Sequence, residues 1–423
     1  MPNRPAAHHH KTHASAYTDE FLYHQLIPYI GNKRKLLGLI DSAVRATGVE
    51  TGSFVDFFAG GGVVSRYAKQ QGFAVIANDW EPYAHSINGC YIQCNKPPAF
   101  TPLGGPEGVF KRLNALPPVE GYITQNLCPE NDSALVLDRD RMFFTRSNGM
   151  RIDAIREAVH SWRQQEDITR QEEDFLLAAL LYAVSYVSNT SGVFKGFHRG
   201  WGGATGTAHY RILSDLTLRQ PVLFDNNVDN LVSCKDAQDL AEALSAAGTQ
   251  IDIAYLDPPY NQHPYGSNYH VLNTVALWDK PDIPRFDGIS NKSAIRKDWR
   301  TSRRSAYNHN TALDAYKKLI QSIQARVILT SYSTDGKIPV EEMFIAAAER
   351  GRISCVMNAY KRYRVSTQRM SKKPVNVEFV LTIDAGRPGN RSEALEIVQL
   401  LHLKENEALT THANNNAGYH LST

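Results

Sequence analysis

Asp257, Pro258, Pro259 and Tyr260 stand in immediate succession after the apolar run 251–256. Proline has no backbone N–H to give to a ladder, so two in a row end a strand and stiffen the loop that follows. The carboxyl ends of strands are where open α/β sheets gather their ligands. A carboxylate, fixed backbone carbonyls and an aromatic ring are thereby held side by side. That set suits a planar ring bearing an exocyclic amino group: Asp257 and the Pro258 carbonyl would each accept one N–H, while Tyr260 stacks on the ring. Accepting both hydrogens draws the nitrogen lone pair out of conjugation, which makes a poor nucleophile usable without a metal. The bland alternative is a strand-ending turn with an ordinary Asp. The order carboxylate, two prolines, aromatic ring, set directly behind a buried strand, weighs against it.

A second constellation lies at 54–62, where a strand-like run reaches Asp56, Phe58, Gly60 and Gly62 and then a helical pattern. Glycines at a helix N-terminus let the backbone approach a ligand closely. The spacing is not that of a dinucleotide fingerprint, which would need glycine where Ser65 stands. An acid inside the turn favours a cationic or hydroxyl-bearing ligand over a pyrophosphate. Asp79 ends the next strand-like run, at the place where an acid can take both ribose hydroxyls. A nucleoside cofactor without a diphosphate fits this pair of strand ends best.

These groups need a scaffold that brings several strand ends together. Short apolar runs at 53–58, 74–79, 251–257, 326–331 and 353–358 alternate with helical patterns at 62–71, 236–247 and 313–324. The pattern predicts an α/β fold with an open, mainly parallel sheet and helices on both faces. The β-branched run 375–383 is expected to form a final antiparallel hairpin with the strand at 353–358. From 96 to 225 the alternation stops, and two helical patterns, 151–165 and 171–187, precede a Gly-rich loop at 191–206. This stretch reads as a helical insertion, either a plain structural subdomain or a surface that grips a polymer. The expected division is a flexible arm at 1–20, a cofactor-binding part at 21–95, the insertion at 96–225, a second catalytic part at 226–386 and a peripheral tail at 387–423 with one helix at 392–404.

Composition narrows the function. Of 423 residues, 42% are hydrophobic and 21% charged, which excludes a mostly disordered or fibrous chain. No uninterrupted apolar stretch approaches a membrane span and the N-terminus lacks an apolar signal core, so a cytoplasmic protein is expected. Cys90, Cys94, Cys128, Cys234 and Cys355 show no C-x-x-C pairing, so neither a disulfide framework nor a zinc site is indicated, and no metal is required. The net charge is only +3, but residues 285–373 hold 19 Lys and Arg against 7 Asp and Glu. Aromatic residues interleave there, and nucleic acid is the favoured polyanion. Lys195 and Arg199 in the Gly-rich loop, Arg296, Lys297, Arg300, Arg303 and Arg304, and Lys361, Arg362 and Arg364 are the candidate phosphate contacts. The loop 261–270, dense in amides and rings, reads as a wall around an extruded base. His263 and His270 lie there, but an amino group needs no proton removed before attack, so neither is required as a base.

Together with Pro28, Tyr29, Ile30, Gly31, Asn32 and Lys33, the glycine turn and the Asp-Pro-Pro-Tyr segment resemble the S-adenosylmethionine-dependent DNA adenine amino-methyltransferases of the Dam-like class, in the alpha motif order. The resemblance covers about 26–383. It implies a Rossmann-like fold on a seven-stranded sheet, with Tyr29, Gly31 and Lys33 lining the methionine end of the cofactor and Asp56, Phe58, Gly60 and Gly62 around its amino-acid portion. By the same resemblance Asp79 holds the ribose and Asp236 meets the cofactor adenine. Asp257, Pro258, Pro259 and Tyr260 would be catalytic, and the insertion would carry target recognition. Asp56 stands where many relatives have Glu. The partners implied are double-stranded DNA and a cognate restriction or defence protein. Methylation of RNA adenine, of the cytosine 4-amino group or of protein glutamine, and a catalytically silent DNA-binding partner, stay open as alternatives. The carboxylate of Asp257 favours adenine, and retention of Asp79, Asp257 and Tyr260 favours an active enzyme.

Overall fold

The computed structural model describes residues 19–260, 264–299, 303–361 and 375–417. Seven strands form one sheet: β1 Ser53–Asp56, β2 Ala74–Asn78, β3 Leu231–Ser233, β4 Ile251–Leu256, β5 Ala325–Ser333, β6 Arg352–Lys361 and β7 Val375–Asp384. Their order is β3-β2-β1-β4-β5-β7-β6. The first five pair in parallel, and β7 runs antiparallel between β5 and β6. The hairpin expected from the β-branched run is therefore present, with β7 inside and β6 at the edge. The short β3 is weak in the sequence because Leu231 is more than half exposed and its flanks are polar.

Parallel strands buried on both faces read as near-continuous apolar runs, and β4 does so. Ile253 and Tyr255 enter one core with helices α1 (Leu37–Ala46) and α2 (Val63–Gln70). Ala254 and Leu256 enter the other. Register between β1 and β4 is fixed at their start by Asp252, which accepts from the Ser53 N–H at 2.8 Å and the Ser53 hydroxyl at 3.1 Å.

Beyond β2, α3 (Pro82–Asn88) leads into the long stretch before β3, where no strand occurs and α4 (Arg146–Gln164) and α5 (Arg170–Val187) dominate. A Thr169–Glu172 capping box starts α5. Phe175 through Leu181 are all at most 2% exposed, so this helix is buried on every side. Its core continues into α3 and α7 (His270–Leu277), through Tyr83, Ile87, Val271 and Leu272.

On the opposite face of the sheet lie α6 (Ala237–Ala246), α8 (Ala312–Ser322), α9 (Val340–Arg350) and α10 (Arg391–Ala417). The expected peripheral tail differs here. Helix α10 runs well past 404 and buries Ala394, Val398 and Leu401, a stripe at helical spacing, in the sheet's core.

The strand that delivers Asp257 depends on this packing. Replacing the fully buried Ile253 by alanine should cost about 2–5 kcal/mol in urea denaturation. A loss below about 1 kcal/mol would mean that β4 is not load-sharing in the core.

Candidate active site

Three strand ends converge. β1 ends at Asp56 and the chain turns through Phe58, Gly60 and Gly62 into α2. Gly60 has φ +50° and Gly62 φ +80°, and a Cβ would lie 2.9 Å from the Tyr29 ring at the first and 2.4 Å from Asn88 Oδ1 at the second. Only glycine fits either place. The turn is braced from β2: Asp79 Oδ2 accepts from the Gly60 N–H at 2.7 Å and Oδ1 from the Glu81 N–H at 2.9 Å. Asp56 is 1% exposed, and its oxygens accept from the Ser65 hydroxyl at 2.7 Å and the Phe58 N–H at 3.3 Å. Ser65, which breaks the dinucleotide spacing, is thus the partner of a buried acid.

At the end of β4, Asp257 is spoken for on both oxygens. The Lys33 ammonium sits 2.7 Å from Oδ2, and the Tyr260 hydroxyl donates to Oδ1 at 3.0 Å. Lys33, 4% exposed, also donates to the Gly31 carbonyl at 2.8 Å and lies 4.7 Å over the Tyr260 ring. The ring itself meets Tyr332 edge-on at 4.9 Å. Burial raises the Asp257 carboxyl above its ordinary value, and Lys33 opposes the rise.

Two cavities share Tyr29, Phe58 and Asp257 as a common wall. The larger, about 720 Å³, is lined by Asp79, Trp80, Asp236, Arg303 and Tyr307 among others. The smaller, about 340 Å³, adds Gly31, Lys33 and Asp56. Asp236 N-caps α6 by accepting from the Gln238 N–H at 2.9 Å, which fixes its carboxylate at the cleft. Of the residues read from the sequence as cofactor contacts and as the catalytic segment, Tyr29, Gly31, Lys33, Asp56, Phe58, Asp79, Asp236, Asp257 and Pro259 line these two cavities, whereas Gly60, Gly62, Pro258 and Tyr260 stand behind their walls. The larger cavity is lined by Asp79 and Asp236 together with the aromatic residues Trp80 and Tyr307, groups suited to a ribose diol and an amino-bearing base.

Sequence reasoning missed several of its walls. The rings of Tyr29, Tyr265 and Tyr269 form a mutually stacked cluster, with Tyr29 5.3 Å from Tyr265 and 5.1 Å from Tyr269 and the latter two 6.0 Å apart, and the Tyr269 hydroxyl accepts from the Ile30 N–H at 2.8 Å. This sequestered stack holds the N-terminal segment against the loop that follows Tyr260. Glu81, buried beside Asp79, is held by the Asn273 amide. Only the aromatic density of 261–270 hinted at the first, and nothing local signalled the second.

The candidate phosphate contacts divide. Lys195, Lys297 and Arg304 are exposed, and Arg199 pairs at the surface with Asp138. Arg296 is corrected: at 6% exposure it is ion-paired with Asp279 and Asp298, both at 2.7 Å, and so has a structural partner on each side. Arg303 is also corrected, because its guanidinium turns into the larger cavity, donates to the Trp80 carbonyl at 2.9 Å and stacks 4.3 Å from the Trp299 ring. Asp298 and Trp299 stand in the basic run itself, but Asp279 and the Trp80 carbonyl, which complete the partners of these two, come from outside it. Arg300, Arg362 and Arg364, the Lys361 side chain, and Asn261, Gln262 and His263 lie outside the described residues. His270 is buried and its ring bonds the Phe194 carbonyl at 2.8 Å, with burial pulling it down to about 4. It is a neutral packing residue. Among the described residues no cluster of His, Cys, Asp and Glu could hold a metal, and no helix is long and apolar enough to cross a membrane.

Comparison with known proteins agrees with this arrangement. Residues 29–331 match the family described as D12 class N6 adenine-specific DNA methyltransferase. The type II methyltransferase M.NlaIII of Neisseria lactamica is 30% identical over 361 residues, which is 83% of this chain and 96% of that protein. The modification methylase StsI of Streptococcus sanguinis is 30% identical over 321 residues, 74% of this chain but 45% of that protein. The modification methylase LlaI of Lactococcus lactis subsp. lactis is 28% identical over 373 residues, 84% of this chain and 54% of that protein. The chain thus spans nearly all of the first relative and about half of the other two.

The buried acids make stability depend on pH. Burial pushes Asp56 from an ordinary 3.8 up to about 7, so the folded carboxyl keeps a proton that the unfolded chain releases. Its contribution to stability therefore falls as pH rises from about 4 to about 7. Urea denaturation of the cofactor-free protein at both ends of that range should show a shallower decline for Asp56→Asn than for the parent. Equal declines would mean that Asp56 is ionised throughout.

Proposed function

The chain belongs to the D12 class of N6 adenine-specific DNA methyltransferases and is an enzyme of that activity, and we propose that it moves a methyl group from S-adenosylmethionine to the 6-amino group of an adenine turned out of double-stranded DNA. The reading extends to a site-specific modification enzyme paired with a cognate restriction protein, in keeping with the modification methylases it resembles. The observation that carries the mechanism is the wall common to both cavities, where Asp257 faces the cofactor-type cleft and the target-side aromatic ring of Tyr260 at once.

The residues fit the cofactor chemically. Asp79 takes the ribose hydroxyls, Asp236 the adenine amino group, and Tyr29, Gly31 and the glycine turn enclose the amino-acid end. When bound, the cofactor supplies a methyl group on a positively charged sulfur. Everything else is the work of this chain. Tyr260 stacks on the extruded adenine. Asp257 and the Pro258 carbonyl accept the two amino hydrogens, so the nitrogen lone pair points out of the ring toward the methyl group. The two prolines keep both acceptors from relaxing, and the nitrogen sheds a proton after transfer. A base left in the stack cannot reach this rim, so extrusion is a geometric requirement. Lys195, Arg199, Lys297, Arg300, Arg304, Lys361, Arg362 and Arg364 would neutralise backbone phosphates during it.

Incubation with tritiated S-adenosylmethionine and unmethylated genomic DNA, followed by nucleoside analysis and single-molecule sequencing, should yield labelled N6-methyladenine at one sequence. Label on cytosine, or none on DNA, would overturn the reading. Asp257→Ala should reduce single-turnover transfer by at least ~100-fold while leaving the cofactor Kd within about tenfold, because the lost contacts are to the target base. Asp79→Ala should instead raise the cofactor Kd roughly 10- to 100-fold, and an unchanged Kd would remove Asp79 from the cofactor site.

A further inference from the structure

Lys33 stands between the catalytic carboxylate and the smaller cavity, and it touches both. Its ammonium lies 2.7 Å from Asp257 Oδ2 and 4.7 Å over the face of Tyr260. It also lines the cavity of about 340 Å³ beside Gly31, Asp56 and Asp257. A stacked adenine that donates its amino group to Asp257 would put a nitrogen donor in that same place, on that ring face and against that carboxylate. Lys33 must therefore give way when the base arrives. A buried ammonium that loses its counter-ion is strongly unfavourable, so it gives way only where another anion is within reach.

The lining of the cavity points to that anion. Among the described residues that form it, Lys33 is the only base, and Asp56 and Asp257 are the only acids. A cation and an acid on one small cavity suit a zwitterionic amino-acid group, its ammonium toward Asp56 and its carboxylate toward Lys33. S-adenosylmethionine ends in such a group. An ammonium has three N–H donors. The structure gives that of Lys33 two acceptors, Asp257 and the Gly31 carbonyl at 2.8 Å. The third is available to a guest in the cavity, and the Gly31 bond can persist while one carboxylate is exchanged for another. Asp257 for its part keeps the Tyr260 hydroxyl at 3.0 Å and receives the target N–H in place of the ammonium.

We infer that Lys33 is a latch on the catalytic rim and that the carboxylate of the bound cofactor is what releases it. With the cofactor in place, Lys33 exchanges Asp257 for that carboxylate as the target base enters; without it, the rim stays shut. The inference rests on the assignment of Asp257 as acceptor of the target amino group. Lys33 is in this view a positioning residue, and a cofactor group remote from the methyl that is transferred takes part in admitting the base. No buried charge is stranded at any stage. The order of events follows: DNA binds with or without cofactor, but an extruded base is captured against Asp257 only when a methyl donor stands beside it.

The test uses the full chain and a duplex carrying the mapped recognition sequence with 2-aminopurine at the target position. This base has no 6-amino group to methylate, so capture is read at equilibrium as a fluorescence rise, yet its ring still needs the Tyr260 face that Lys33 covers. The probes are S-adenosylmethionine and its decarboxylated form, which keeps the nucleoside, the sulfonium and the ammonium, each at a concentration that saturates the protein by its measured Kd. With the parent protein, the rise with S-adenosylmethionine should exceed that with the decarboxylated form, or with no cofactor, by about tenfold. Lys33→Met has no latch, so its rise should agree within about twofold for the two cofactors, and its Kd should increase for S-adenosylmethionine alone. A parent that brightens equally with both, or a Lys33→Met protein that distinguishes them as the parent does, would overturn the inference. Should Lys33→Met fail to fold, a crystal structure of the parent with DNA and the demethylated cofactor decides: Lys33 off Asp257 and on the cofactor carboxylate supports the latch, and Lys33 anywhere else rejects it. A parent protein that neither methylates adenine nor brightens 2-aminopurine with any cofactor would instead bring down the assignment of Asp257 itself.

Discussion

The carboxylate of Asp257 leaves the sheet at the end of β4, where two prolines follow it and its side chain is only 16% exposed. A buried carboxylate must have partners, and those partners organise the site. Lys33 comes from the N-terminal segment, Tyr260 from the loop beyond the prolines, and β4 is clamped between β1 and β5. Holding that one charge therefore requires segments more than two hundred residues apart to meet. The same requirement places the rim against both cavities, because the segment that carries Lys33 also carries Tyr29 and Gly31.

A parallel logic governs the glycine turn. Asp79 both lines the larger cavity and holds the Gly60 N–H, so the acid at the end of β2 shapes the turn at the end of β1. Tyr29 presses on Gly60 from the other side, where no side chain would fit. Rigidity here comes from groups that have two duties, which is how a site can be preorganised on loops. The helical insertion contributes from outside. Phe194 donates its N–H to the Asn268 carbonyl at 2.7 Å, and Asn189 donates to the carbonyls of Met142, His198 and Gly200. The Gly-rich loop is thereby pinned beside the segment that closes the cleft, and Gly192 lies against Pro28.

Much of the fold was legible because its strands are buried on both faces and announce themselves as short apolar runs. β1, β2 and β4 fall within a residue or two of the expected ranges, and so do α2, α5, α6 and α8. What escaped was what lacked local contrast. β3 is three residues long with an exposed leucine and α9 has no motif to draw attention to it, while of α10 the first half was expected and its extension past 404 and its docking on the sheet were not. In the site, motif residues such as Asp56, Asp79 and Asp257 stood out because their chemistry is carried by neighbours in sequence. Tyr265, Tyr269 and Glu81 did not, since each matters through a partner far along the chain.

The sequence by itself determined the kind of sheet and the places where its strands end in acids and glycines, and it suggested the chemistry proposed for the Asp-Pro-Pro-Tyr segment. These are consequences of local rules: side-chain periodicity, the missing N–H of proline, the missing Cβ of glycine. Only the tertiary structure decided which charges are spent inside the protein. Arg296 and Arg303 read alike with Lys297 and Arg304 in a basic run, yet Asp279, Asp298 and the Trp299 and Trp80 environment draw the first two inward. Lys33 likewise reads as a cofactor contact and folds onto Asp257. The physical reason is that a charge finds its lowest energy against whatever surrounds it in three dimensions, and the run of residues on either side supplies only some of those partners.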